Sequence, residues 1–145
     1  VDVMQTLIER FDNPKLDTND GSAYFNRAIT RYDLGDRRGA IEDYTEFLSR
    51  NPGDDVALNN RALARYDVGD KQGAIADLSE AIRHNPHNYT AFCNRGYILS
   101  ELGDKLGAIE DYTFAIQLNP DYAIAYFYRG LARTRIQNKL GAIQD

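Results

Sequence analysis

Apolar residues recur along this chain in sets spaced thirty-four positions apart. Ala23, Tyr24, Ala28 and Leu34 make one helical stripe, and Ala57, Leu58, Ala62 and Val68 repeat it. Ala91, Phe92, Gly96 and Leu102, then Ala125, Tyr126, Gly130 and Ile136, repeat it twice more. Each set places a large residue beside a small one, which lets a neighbouring helix come close while the large side chain fills the remaining gap. The spacing predicts first helices over 22–34, 56–68, 90–102 and 124–136. A second series, Ala40-Ile41 with Tyr44, Phe47 and Leu48, returns as Ala74-Ile75 with Leu78, Ala81 and Ile82. It returns again as Ala108-Ile109 with Tyr112, Ala115 and Ile116, and predicts second helices over 37–50, 71–84 and 105–118. A fixed period of this length means stacked helical units that bury their faces against one another.

The polar punctuation agrees. Gly35, Gly69 and Gly103 fall where a first helix must end, and Asp36, Asp70 and Asp104 follow as N-caps of the second helices. Asn51-Pro52, Asn85-Pro86 and Asn119-Pro120 stop those helices. Gly39, Gly73, Gly107 and Gly141 sit in the first turn of each second helix, where glycine costs ~1 kcal/mol against alanine. Close helix approach and a habit of the repeat are both open as reasons. Three full units result, 21–54, 55–88 and 89–122, with a truncated fourth at 123–145. There Gln137-Asn138 replaces Gly-Asp and most of the second helix is missing. Met4, Leu7, Ile8 and Phe11 give residues 1–12 a helical stripe, so 1–20 reads as a capping helix and a turn, with a frayed tail as the alternative.

Tyr24, Ala28, Gly35, Ala40, Tyr44, Phe47 and Pro52, with their two later copies, resemble the tetratricopeptide repeat over residues 21–145. The Asn-Arg-Ala/Gly and Gly-Asp-Lys-x-Gly-Ala-Ile variants look like repeats common in bacteria. The resemblance implies an all-α fold of antiparallel helix hairpins stacked into a right-handed superhelix. It also implies a concave face, lined by the first helices, that holds a peptide or a partner's helix. The chain departs from the family at Arg27, Arg61, Arg95 and Arg129, where leucine is common. Arg27 and Asp43 are each eight residues from Gly35, so they face each other across an antiparallel hairpin. Arg61/Asp77, Arg95/Asp111 and Arg129/Asp145 repeat the relation. An arginine could instead reach the aspartate of the preceding unit. Either way the expectation is a structural ladder of part-buried ion pairs; arginines free to take a carboxylate are the alternative.

Asn26, Asn60 and Asn94 also recur once per unit, and asparagine is a poor helix former. Asparagines at the matching place of the family often grip peptide main chain, and an amide offers both donor and acceptor for that. A solvated or locally bonded amide is the competing reading, and Tyr128 breaks the series. Phe25, Tyr32, Asn59, Tyr66, Tyr97 and Tyr128 join the expected peptide-binding surface, with Ile29, Leu63, Cys93, Phe127 and Leu131 beside them. The carboxylate clamp of heat-shock co-chaperones is not expected, because Phe25, Ile29, Asn60, Thr90 and Asn94 supply no cation at its places.

Composition narrows the function classes. With 17 Lys+Arg against 22 Asp+Glu the formal net charge is -5, which argues against a nucleic-acid groove. Cys93 is the single cysteine, which rules out an internal disulfide and a thiolate zinc site. No run is long and apolar enough for a membrane span, and no signal peptide is visible, so the default is a cytoplasmic protein with no membrane partner. A chain that opens at Val1 and closes inside a repeat is expected to be a piece of a longer protein. His84, His87 and Cys93 lack activating neighbours, no glycine loop cradles phosphate, and no cofactor or metal site is expected. The expected function is a non-enzymatic scaffold that binds a peptide or partner segment. The alternatives are a module that self-associates as a homo-oligomer through its fourth unit, or the regulatory arm of a larger protein.

Overall fold

The computed structural model describes residues 19–144, so the expected helix at 1–12 lies outside the described residues. Seven helices and no strand are present among them. In chain order they are α1 (Ser22–Asp33), α2 (Arg37–Arg50), α3 (Asp55–Asp67), α4 (Lys71–His84), α5 (Tyr89–Glu101), α6 (Lys105–Leu118) and α7 (Ala123–Gln144). They fall into two compact units, one up to His84 and one from Asn85 onward. In the first unit α1 packs on α2, α2 on α3, and α3 on α4. In the second, α5 packs on α6, α6 on α7, and α5 also touches α7. The buried side chains alternate small and large, with Ala28, Ala40, Ala62 and Ala74 beside Tyr44 and Leu78 in the first unit. Ala91, Ala108 and Ala115 lie beside Phe92, Ile98 and Tyr112 in the second.

Each hairpin turn is made by a glycine in the left-handed region: φ is 90° at Gly35, 91° at Gly69 and 95° at Gly103. The Asp36 N–H then reaches back to the Arg31 carbonyl at 2.9 Å, and Gly35 N–H to Tyr32 at 3.0 Å, satisfying the last carbonyls of α1. The aspartate that follows caps the next helix: Asp36 accepts from Gly39 N–H at 2.9 Å, and Asp70 and Asp104 accept from Gly73 and Gly107 at 2.8 Å. This explains the first-turn glycines. A Cβ at Gly39, Gly73 or Gly107 would collide with the capping carboxylate, so the glycine makes room for the cap. At Gly141 a Cβ would meet nothing within 4 Å.

The fourth unit differs from the expected helix over 124–136. α7 runs without a break through Gln137 and Asn138 to Gln144. The physical reason is local: neither residue is a glycine that can take φ near +90°, no described non-glycine residue has positive φ, and the chain stays α-helical.

Candidate interaction surface

The arginines of the first helices meet the aspartates of the second helices in the same hairpin. Arg27 donates from Nε to Asp43 Oδ2 at 2.8 Å and from Nη2 to Oδ1 at 2.7 Å. Arg61 does the same with Asp77 at 2.9 and 2.7 Å, and Arg95 with Asp111 at 2.8 Å on both arms. The Asp111 hydrogen bond holds the Arg95 pKa above its ordinary value. The three carboxylates are buried, so the two-armed geometry offsets their desolvation. Arg61 also reaches the preceding hairpin, donating from Nη1 to Thr45 Oγ1 at 3.1 Å. A second guanidinium joins each aspartate of the first unit: Arg31 Nη1 lies 3.1 Å from Asp43, and Arg65 Nη1 2.9 Å from Asp77. The signal for it was an arginine four residues after the first, on the same helix face. Leu99 takes that place in the third hairpin. The expected partner of Arg129, Asp145, lies outside the described residues; Arg129 Nη1 donates to Thr113 Oγ1 at 3.3 Å.

With the hairpins held this way, the first helices of the first unit leave a cleft between α1 and α3. Its volume is about 250 Å³, and it is lined by Ile29, Tyr32, Asp33, Tyr44, Asn60 and Leu63. Tyr44 forms the floor from α2; burial pushes its hydroxyl pKa up to about 12, against a hydrogen bond from Asn60 that lowers it. The Asn60 amide stands in the cleft wall beside Tyr44, where it offers both a donor and an acceptor. Tyr32 donates to Asp67 Oδ2 at 2.8 Å, Arg37 Nε reaches the same oxygen at 2.7 Å, and the Arg37 guanidinium lies 3.9 Å over the Tyr32 ring. The Arg37 Nη1 also donates to the Tyr32 carbonyl. The lip of the cleft is thus a rigid, charge-compensated cluster, with the Asp33 carboxylate beside it.

The second unit builds a cleft from positions sixty-eight residues further on. Tyr97, Ser100, Glu101, Tyr112, Tyr128 and Leu131 stand where the first cleft has Ile29, Tyr32, Asp33, Tyr44, Asn60 and Leu63. Ala132 and Arg135 complete a volume of about 200 Å³. Here the amide is replaced by a ring. Tyr128 stacks on Tyr112 at 6.0 Å and meets Tyr97 edge-on at 5.1 Å. Arg135 occupies the place of Asp67, and Lys105 donates to Ser100 Oγ at 3.0 Å.

The remaining expected surface residues divide. Phe25 is half-buried, 5.7 Å from Tyr44 and 5.1 Å from Phe47, and so belongs to hairpin packing. Asn26 is exposed on α1 and is not part of the cleft lining. Asn59, Tyr66 and Asn94 are half-buried on first helices. Cys93 is buried, and burial pushes its thiol up to about 11. Asp33, Ser100, Glu101 and Arg135 were not anticipated. Their signal was position alone: Asp33, Ser100 and Glu101 lie at the C-terminal ends of α1 and α5, and Arg135 lies four residues after Leu131 on α7. No group of metal-ligating side chains occurs among the described residues, and no helix among them is long and apolar enough to cross a membrane.

Models of the tetratricopeptide repeat match residues 25–89 and 89–122. The chain belongs to the tetratricopeptide repeat family. Its all-α fold is that of the family, and solved structures agree. A MamA crystal structure is similar at a TM-score of 0.86 and 25% identity, over 97% of this chain and 78% of that one. The first tetratricopeptide domain of Spaghetti (RPAP3), solved with the HSP90 peptide SRMEEVD, is similar at 0.79 and 21% identity, over 86% and 99%. The Sgt2 domain from Aspergillus fumigatus is similar at 0.79 and 22% identity, over 84% and 82%. A search of curated protein sequences returns no match.

Proposed function

We propose that this tetratricopeptide chain is a protein-interaction module, without catalytic chemistry of its own, that takes a peptide segment of a partner protein on its first helices. The observation that carries the reading is the cleft between α1 and α3. Ile29 and Leu63 offer apolar walls, and Asn60, in the wall beside Tyr44, offers an amide to a peptide main chain. Oriented polar groups within an apolar wall are the usual composition of a recognition site. The structurally similar RPAP3 domain is itself bound to a peptide, which supports the class of ligand and not its sequence. In the carboxylate-clamp positions this chain has no lysine or arginine, so the partner segment is read as internal and not as a free C-terminus.

The test is an immobilised random-peptide array probed with the chain and with its Asn60→Ala variant. The expected result is a set of peptides captured by the wild type, with at least a tenfold loss in the variant and no loss on blocking the peptide C-terminus. Capture that survives Asn60→Ala, or that requires the free C-terminal carboxylate, contradicts the reading.

A further inference from the structure

Among the described side chains that line the cleft between α1 and α3, Asp33 alone carries a charge at neutral pH. Its place recurs with the period as Asp67, Glu101 and Arg135. Asp67 is answered by the Tyr32 hydroxyl and the Arg37 guanidinium, and Glu101 shares its cleft with Arg135. No described residue forms an ion pair or a hydrogen bond with the Asp33 side chain. Helix geometry does not account for Asp33 either. It is the last residue of α1, where the negative end of a helix disfavours a carboxylate. Its field reaches into the cleft. Burial raises the Tyr44 hydroxyl pKa on the floor, and the Asp33 carboxylate raises it further. Arg37 is held on Asp67 and over the Tyr32 ring.

Size and surface say what fits. The volume of about 250 Å³ lies below the ~300 Å³ at which pockets begin to hold a whole small molecule, so it suits one long side chain. Ile29 and Leu63 offer apolar surface to an aliphatic stem, and the carboxylate is exposed at the lip. A lysine or arginine has both parts: a stem that covers apolar surface and a head that turns to water or to an acid. Charge selects the source. The chain carries a net charge of -5, so a second copy is repelled as a whole while a basic segment is attracted.

We propose that the cleft between α1 and α3 selects a partner segment carrying a lysine or arginine, whose stem lies between Ile29 and Leu63 and whose cationic head pairs with the Asp33 carboxylate. The proposal rests on the reading of this cleft as a peptide site, and adds to it the charge of the side chain that enters. The second cleft, with Arg135 in its lining, has no such preference.

The test uses the 145-residue chain, a peptide it captures from the array, and the same peptide with its basic residue replaced by norleucine, which keeps a stem and loses the charge. The wild type should bind the basic peptide roughly five times more tightly, the scale of a single part-exposed ion pair. Asp33→Asn should bind the two alike. Asp33→Lys, whose cation suits the helix end, should prefer a glutamate in that place. Asn60→Ala should weaken both peptides equally, since the amide serves the main chain. Captured peptides that share no lysine or arginine overturn the proposal and leave the peptide-site reading standing. So does an Asp33→Asn variant that keeps the preference. An array that captures nothing, or capture unaffected by Asn60→Ala, overturns both. Self-association of the peptide-free chain that Asp33→Lys abolishes would seat a second copy in the cleft and overturn the partner segment.

Discussion

Two clefts made from equivalent positions, one per unit, differ in what they offer. The cleft between α1 and α3 has an amide on a tyrosine floor; the one lined by α5 and α7 has a ring, Tyr128, stacked on the same floor position, Tyr112. Asp67 closes the first lip with Tyr32 and Arg37, whereas Arg135 stands at its place in the second. What is shared lies underneath: left-handed glycines, aspartate caps and arginine–aspartate forks set the spacing of the helices. The lesson is that the residues fixing geometry repeat with the period, while the few that face the cleft differ and so set the chemistry each cleft offers.

The frame beneath the clefts can be broken unequally. Asp77→Ala strands two part-buried guanidiniums, Arg61 and Arg65, and should cost ~3–5 kcal/mol in urea unfolding. Asp111→Ala, where Leu99 replaces the second arginine, should cost less. Equal losses would remove the distinction between the units. Next in size, Gly96→Ala forces a methyl into the Tyr112 ring and should destabilise by ~1–3 kcal/mol, while Gly130→Ala meets open space and should stabilise by up to ~1 kcal/mol. The two melting temperatures should therefore move in opposite directions.

The tyrosine floors predict a pH dependence. Desolvation raises the folded-state pKa of Tyr44 from 10.0 to about 12 and moves Tyr112 the same way. Between those values the unfolded chain has lost a proton that the folded chain keeps, so stability must fall as pH rises from 10.0 towards 12. Tyrosinate absorbance in native protein should then show a late-titrating class that Tyr44→Phe reduces. The smallest effect is at Cys93: a buried thiol with a pKa near 11 should resist iodoacetamide at neutral pH in the native state and react once unfolded.

Much of this was legible because it is local. The second helices at 37–50, 71–84 and 105–118 have the bounds that their Asp caps and Asn-Pro stops dictate. The Arg–Asp relation followed from counting outward from a glycine turn. The unbroken α7 departs from the period because Gln137-Asn138 stands where the other units have the glycine that turns the chain. The first-turn glycines were misread because a cap carboxylate's position is a three-dimensional fact. Asn60 was visible as a recurring amide, but its place beside Tyr44 depends on another helix. Arg135 and Asp33 looked like any solvated helix end.

The most direct measurement is an amide and methyl chemical-shift titration of the chain with an array-selected peptide, repeated on Asn60→Ala. The account predicts shifts at Ile29, Asn60 and Leu63 and at least a tenfold weaker affinity in the variant. Shifts that leave these three residues untouched, with the variant binding as the wild type does, would contradict it.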